Sequence, residues 1–101
     1  MAELELPDFE VRTDEDAKTI KVTIDTLENY VVSIEQGATL STATVHALNK
    51  ITDWIPYALA ELGEARDRFA YNSKMWNLIV EMKDTLRSVS SDVDRIFGKN
   101  D

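Results

Sequence analysis

Residues 74–97, KMWNLIVEMKDTLRSVSSDVDRIF, decide the fold, because their apolar side chains recur at alternating spacings of three and four. The apolar positions are Met75, Ile79, Met82, Leu86, Val89, Val93 and Ile96. A spacing that averages about 3.5 residues keeps one row of side chains on one face of an α-helix, where it packs against a neighbouring helix. The stretch therefore predicts a helix over 74–97 that buries one apolar stripe.

Two upstream segments carry the same pattern. The first stripe is Ile20, Ile24, Leu27, Val31 and Ile34, and the second is Leu48, Ile51, Ile55, Ala58, Leu62, Ala65 and Phe69. Three matched stripes predict an all-α three-helix bundle, with helices over about 14–36, 42–70 and 74–97. The last two helices are expected to form a long antiparallel hairpin that turns near Asn72.

Residues suited to helix ends flank these segments. Candidate N-caps are Thr13, Ser41 and either Asn72 or Ser73, and candidate C-terminal stops are Gly37 and Gly98. Thr13 precedes three acidic residues, which favour the positive end of a helix dipole. Leu40 can pack on Val45 as a hydrophobic staple at the start of the second helix.

The first helix has a competing interpretation. Residues 19–24, TIKVTI, alternate with period two and are rich in β-branched side chains, so they can also form a strand paired with residues 9–12. In that α+β alternative, a β-hairpin over about 9–24 precedes a short helix that Asp25 caps, with Glu28 completing a capping box. The sequence leaves both interpretations open.

Two residues weaken the second helix. Pro56 lacks a backbone donor and is expected to kink this helix or restart it near Asp53. Gly63 lies beside Leu62 of the second stripe, where the missing side chain either admits another helix closely or lowers helix stability.

Composition restricts the function classes. The chain has 101 residues, a net charge of -8 and no cysteine, which excludes disulfides and thiolate chemistry and favours a cytoplasmic location. Its longest apolar run has seven residues (54–60), far fewer than the roughly 20 that a membrane helix needs. Residues 1–16 carry seven acidic side chains against one basic side chain, and no basic cluster appears. Direct nucleic-acid binding and membrane association are therefore disfavoured.

No residue pattern indicates catalysis, a cofactor or a metal site. The single histidine, His46, has Thr42, Ala43, Asn49 and Lys50 as its helical neighbours, none of them a strong catalytic or metal-binding partner. Glu81 and Asp84 share a helix face, but Lys83 and Arg87 lie beside them. The glycines are isolated, which excludes a phosphate-binding loop. A non-enzymatic protein is the expectation.

Aromatic residues outside the stripes are the first candidates for partner binding. Trp54 and Tyr57 share a helix face offset from the second stripe, and Trp54 falls opposite Ser90 in an antiparallel hairpin. They form either a cover over the flank of the bundle or an exposed contact surface, since tryptophan and tyrosine dominate binding hot spots. Trp76 falls opposite Arg68, a possible stacking pair.

The N-terminal arm, residues 1–12, is the second candidate and looks separable from the helical domain over 13–98. Its candidate partner-binding residues are Glu3, Leu4, Glu5, Leu6, Asp8, Phe9 and Glu10, which place apolar and acidic side chains largely on opposite sides of an extended chain. Pro7 disrupts the strict alternation. Such an arm can add to a partner as a strand or lie in a basic groove, and it can equally be a frayed terminus.

Two functions fit these features. The first is a protein–protein interaction or assembly module, which self-associates through its heptad-patterned helices or binds another protein partner. The second is a small acidic inhibitor of the phage or immunity type, which blocks the nucleic-acid-binding site of a target protein. The concentration of acidic residues in the arm counts against the second function, because a mimic of duplex DNA spreads its charge over a face.

Overall fold

The computed structural model describes Leu6, residues 8–37 and residues 41–99. Within these ranges the chain forms three α-helices and no β-strand: α1 over Asp14–Glu35, α2 over Thr42–Asp67 and α3 over Lys74–Lys99. The prediction of an all-α three-helix bundle is confirmed. The stretch 38–40, which contains the expected staple residue Leu40, lies outside the described residues.

The helices run up, down and up, with α3 between the other two. α3 packs extensively against both α1 and α2, whereas α1 and α2 make far less contact with each other. Arg95 near the end of α3 pairs with Glu35 at the end of α1, so these two helices are parallel. Arg68 just after α2 donates to the carbonyl of Val11 just before α1, so α2 is antiparallel to both. The predicted α2–α3 hairpin is therefore present.

The three stripes form the core of the bundle. Every stripe residue is buried except Phe69 and Met75, which are partly buried at the turn between α2 and α3. Val11, Ala17 and Trp54 complete the same apolar cluster. Because burial of one Val, Leu or Ile side chain stabilises a fold by roughly 1.5–3 kcal/mol, the stripes supply most of the driving force. The heptad pattern is thus accounted for by packing within one chain.

The β-hairpin alternative for residues 9–24 is wrong, because residues 14–35 form one helix. Ile20 and Ile24, four residues apart, are both buried, and burial of that helical stripe outweighs the β preference of the branched side chains. Thr19 and Thr23 direct their hydroxyls to carbonyls four residues earlier, so these polar groups are satisfied on the helix itself. Asp25, the alternative cap, lies inside α1 and pairs with Lys21 instead.

Thr13 caps α1 through a complete capping box. Its hydroxyl accepts the backbone N–H of Asp16, and the Asp16 carboxylate accepts the N–H groups of Arg12 and Thr13 at 3.1 Å each. The bond from the Arg12 N–H is the main cause that holds the pKa of the Asp16 carboxyl below its ordinary value. The charged form of this exposed carboxylate therefore stabilises the folded chain.

The capping box predicts a pH dependence. A carboxyl with a lowered folded pKa contributes fully above its unfolded pKa of about 3.9, and the contribution is lost as pH falls through the folded pKa. We expect Asp16→Asn to lower the urea midpoint at pH 7, and this deficit to shrink as pH falls below about 4. Asp14→Asn, which neutralises a carboxylate of the same helical turn, is the control and should show a smaller deficit. A deficit for Asp16→Asn that does not change with pH would contradict the assignment.

α2 passes through Pro56 without interruption, so the restart expected near Asp53 is absent. Pro56 is exposed on the outer side of the helix, where the carbonyl that loses its donor can be solvated by water. Ser41 caps α2 as predicted, with its hydroxyl accepting the N–H of Thr44 at 3.1 Å. The helix ends at Asp67 rather than at residue 70.

The other helix ends agree with the sequence at two of three positions. Gly37, at φ 141°, follows the last turn of α1 as the predicted stop. Ser73 caps α3 by accepting the N–H of Trp76, while Asn72 adopts a left-handed conformation at φ 62°. Gly98 was expected to end α3 but lies within it, because the helix continues to Lys99.

Gly63 offers a stabilising substitution. A Cβ atom at this position would lie 3.4 Å from the Lys83 ammonium nitrogen, the mobile end of a long side chain, so no backbone approaches here. We expect Gly63→Ala to raise the free energy of unfolding by about 0.5–1 kcal/mol through helix propensity, as measured by urea denaturation. Gly37→Ala is the matched control, since its positive φ strains any other residue and should make the same substitution destabilising. Loss of stability in Gly63→Ala would show that the space beside Lys83 is required.

Candidate functional site

Trp54 and Tyr57 do not form an open surface, because the arm covers them. Trp54 is only 7% exposed and belongs to the core cluster. The ring of Phe9 lies 5.8 Å from the rings of both residues, tilted against Trp54 and edge-on to Tyr57. Of the two interpretations that the sequence left open, the flank cover agrees with this geometry. The chain itself supplies the residue that covers Trp54, namely Phe9.

Side chains of the bundle hold the backbone of the arm in place. The Tyr57 hydroxyl accepts the N–H of Phe9 at 3.0 Å and donates to the Phe9 carbonyl at 3.2 Å. Arg68 donates to the Val11 carbonyl at 3.2 Å and pairs with Glu10. The described part of the arm is thus a fixed strap along α2 rather than a frayed terminus.

The apolar residues of the arm contact the core of the same chain, and its described acidic residues face solvent. Leu6 and Phe9 pack against the core and Val11 is buried within it, while Asp8 and Glu10 are exposed. The expected boundary at residue 12 therefore does not separate the arm from the core. Glu3, Leu4 and Glu5, the other candidate contacts of the arm, lie outside the described residues.

The turn between α2 and α3 presents an aromatic pair. Tyr71 is 83% exposed, and its ring centroid lies 4.7 Å from that of Trp76, with a tilt of 60° between the planes. The turn is stiffened by the Asn77 side chain, which donates to the carbonyl of Asn72 at 3.2 Å. Trp76 remains partly exposed.

The partner of Trp76 differs from the one expected. The helical register places it opposite Arg68, but the Arg68 guanidinium binds Glu10 and Val11, and the ring beside Trp76 is that of Tyr71. Tyr71 was not a candidate, because it lies outside the helical stripes. One sequence feature indicates Tyr71: it is a large aromatic residue in a short turn beside Asn72 and Ser73, outside the positions that form the core.

Few groups on the bundle resemble a catalytic or metal site. His46 is exposed near the start of α2. Within residues 8–37 and 41–99, no three His, Cys, Asp or Glu residues are grouped closely enough to hold a metal ion. The side chains that stand out by exposure and stacking are those of the turn, Tyr71 and Trp76.

Comparison with known proteins gives no relative from which a function could be carried over. No protein-family model, no curated protein and no solved structure matches the chain. Among residues 8–37 and 41–99, no helix is long and apolar enough to span a bilayer. The surface of the bundle is therefore the basis for assigning a function.

Proposed function

We propose that this chain is a non-catalytic protein-binding module whose contact surface is centred on Tyr71 and Trp76. The observation that supports the proposal is the stacked aromatic pair, with one member 83% exposed, at a capped turn. Tyrosine and tryptophan supply large contact areas and few rotatable bonds, which is why they dominate binding hot spots. An exposed aromatic pair at a capped helix start contributes little to the core of the bundle and is well suited to contact another protein.

Rigidity is the second argument for this surface. The left-handed Asn72, the cap from Ser73 and the bond from Asn77 fix the backbone on which Tyr71 stands. A contact residue that is already ordered loses less conformational entropy when a partner binds. The turn is therefore better suited to binding than a loose loop with the same composition.

Self-association is one form that this function can take. The stripes that motivated it lie inside one chain, so a second copy must use another surface, and the aromatic pair is the candidate. We propose that Tyr71 forms the contact between two copies of the chain. Sedimentation velocity of the purified protein and of Tyr71→Ser tests this, with a shift to monomer expected in the variant.

Partner capture tests the module itself. Immobilised protein is expected to retain a specific protein from the cells of its source, and Tyr71→Ser should lose it, because one exposed hot-spot aromatic contributes about 2 kcal/mol or more. Val22→Ser is the matched control, since Val22 is an exposed apolar residue on α1, 66% accessible, away from the turn. Equal recovery by the two variants would exclude the aromatic pair as the contact surface.

An acidic inhibitor is the second candidate, and the fixed position of the arm favours it. Asp8, Asp14 and Glu15 are exposed along a segment that Tyr57 and Arg68 hold against the bundle. Ordered carboxylates match a basic surface better than a loose acidic tail does. Asp8→Asn, Asp14→Asn and Glu15→Gln together should then abolish capture of the same partner while Tyr71→Ser leaves it unchanged, the opposite of the first candidate.

A further inference from the structure

Two adjoining rows of side chains, one on α2 and one on α3, form a second surface next to the turn. Leu59, Gly63 and Arg66 on α2 follow the spacing of four and three, and so do Trp76, Val80, Lys83 and Arg87 on α3. The contact of 3.4 Å between a Cβ position at Gly63 and the Lys83 nitrogen shows that the two rows adjoin. We refer to this surface as the α2–α3 flank.

The α2–α3 flank combines apolar and cationic groups. Leu59, Val80 and Trp76 are all partly exposed, so an apolar ligand can bury more of their surface. Lys83 is itself partly buried, and within the described part of the chain its ammonium forms no ion pair. Gly63 has no side chain that would cover that ammonium.

The local charge on the α2–α3 flank is positive. Burial lowers the pKa of Lys83, and the neighbouring cations Arg66 and Arg87 lower it further, against weaker opposing effects of Asp67 and Asp84. Arg66 and Arg87 have only exposed partners, at 3.7 Å and 3.2 Å, and such surface pairs are weak. Three cations and two carboxylates thus lie together here, and Lys83 is the cation that has no ion pair among the described residues.

The acidity of the whole chain does not extend to this surface. Residues 42–100 carry eight acidic and eight basic side chains, so the negative charge belongs almost entirely to residues 1–41. The arm lies against the Trp54 and Tyr57 side of α2, away from Gly63. The bundle measures 24 by 19 Å across, whereas surface charges are screened beyond about 8 Å at physiological salt.

We propose that the α2–α3 flank binds an acidic peptide segment of a partner protein, one in which carboxylates alternate with aliphatic side chains. Its carboxylates would pair with Lys83, Arg66 and Arg87, and its aliphatic side chains would cover Val80 and Leu59. The inference rests on the proposed function and names the chemistry of the partner at the surface that continues from Trp76. An ion pair between a peptide carboxylate and Lys83 contributes more binding free energy than an exposed surface pair does, because the ammonium is already partly desolvated.

The probe is a fluorescein-labelled peptide of alternating glutamate and leucine, titrated with the full chain and followed by anisotropy. We expect saturable binding with a Kd below about 1 mM. Lys83→Glu should weaken this binding about ten-fold or more, whereas Lys50→Glu, the same charge change at an exposed position on α2, should alter it less than about two-fold. Lys83→Met, which keeps the volume without the charge, repeats the test should Lys83→Glu unfold.

Four results would overturn the inference. They are absence of saturable binding, equal loss in Lys83→Glu and Lys50→Glu, equal binding of a lysine–leucine peptide, and preferred binding of a single-stranded oligonucleotide. The outcome is separable from that of the proposed function. Peptide binding that needs Lys83 while partner capture is unaffected by Tyr71→Ser refutes the aromatic surface alone. Capture that needs Tyr71 without any peptide binding refutes the acidic-segment proposal alone.

Discussion

Val11→Asp is expected to destabilise the fold by about 3–5 kcal/mol, a large part of the roughly 5–15 kcal/mol that a domain of this size possesses. Val11 is 1% exposed and lies in the core cluster, although it precedes the first helix. The substitution removes a buried apolar side chain and places a carboxylate among the apolar groups of the core. Urea denaturation followed by circular dichroism measures the loss.

The same substitution on the surface is the control. Val22 is 66% exposed on α1, and an aspartate there lies four residues from Lys18, so Val22→Asp should change the free energy of unfolding by less than about 1 kcal/mol. If the two variants unfold at the same urea concentration, the arm is not part of the core. The arm would then be the separable segment that the sequence indicated.

The helices could be predicted because their signal is periodic and redundant. Each stripe contains five to seven apolar residues at helical spacing, and the caps at Thr13 and Ser41 mark the helix starts independently. The ambiguity at residues 19–24 arose because a six-residue window fits period two as well as the helical period. The longer stripe, which continues from Ile24 to Ile34, decides for the helix.

The position of the arm could not be predicted, because it depends on side chains distant in sequence. Phe9 is held by Tyr57, 48 residues away, and Val11 by Arg68, 57 residues away. A short irregular segment has no period that would reveal such partners. The looser contact between α1 and α2 is equally invisible in the sequence, although it fits the presence of apolar arm residues in the same core.

The candidate site was therefore predicted in part. Trp54 and Tyr57 were recognised as unusual because they lie beside the stripe, but their position cannot show that another segment covers them. Trp76 was named with the wrong partner, since the helical register places Arg68 opposite it and gives no information about a turn residue such as Tyr71. Tyr71 is a candidate contact residue because it is exposed, and exposure follows only from the packed bundle.

Leu86→Ala is expected to cost about 3–5 kcal/mol, in the upper part of the range for a buried leucine. Leu86 is fully buried near the middle of α3, the helix that packs against both α1 and α2. A cavity there is lined from two sides, and neither neighbouring helix can move in without losing its own contacts, so little of the lost packing is recovered. Leu78→Ala, at a partly buried position of the same helix, is the control and should cost about 1–2 kcal/mol.

The central position of α3 also determines how the variant unfolds. Trp54 lies beneath the arm and Trp76 lies beside the turn, so tryptophan fluorescence reports on the contact between the arm and α2 and on the turn. Circular dichroism reports on all three helices. α1 and α2 each pack mainly against α3, so a cavity in α3 should weaken both contacts together. Tryptophan fluorescence and circular dichroism should then give one urea midpoint. Separate midpoints would mean that the α2–α3 hairpin persists after α1 and the arm detach, which would make α1 with the arm an independent unit.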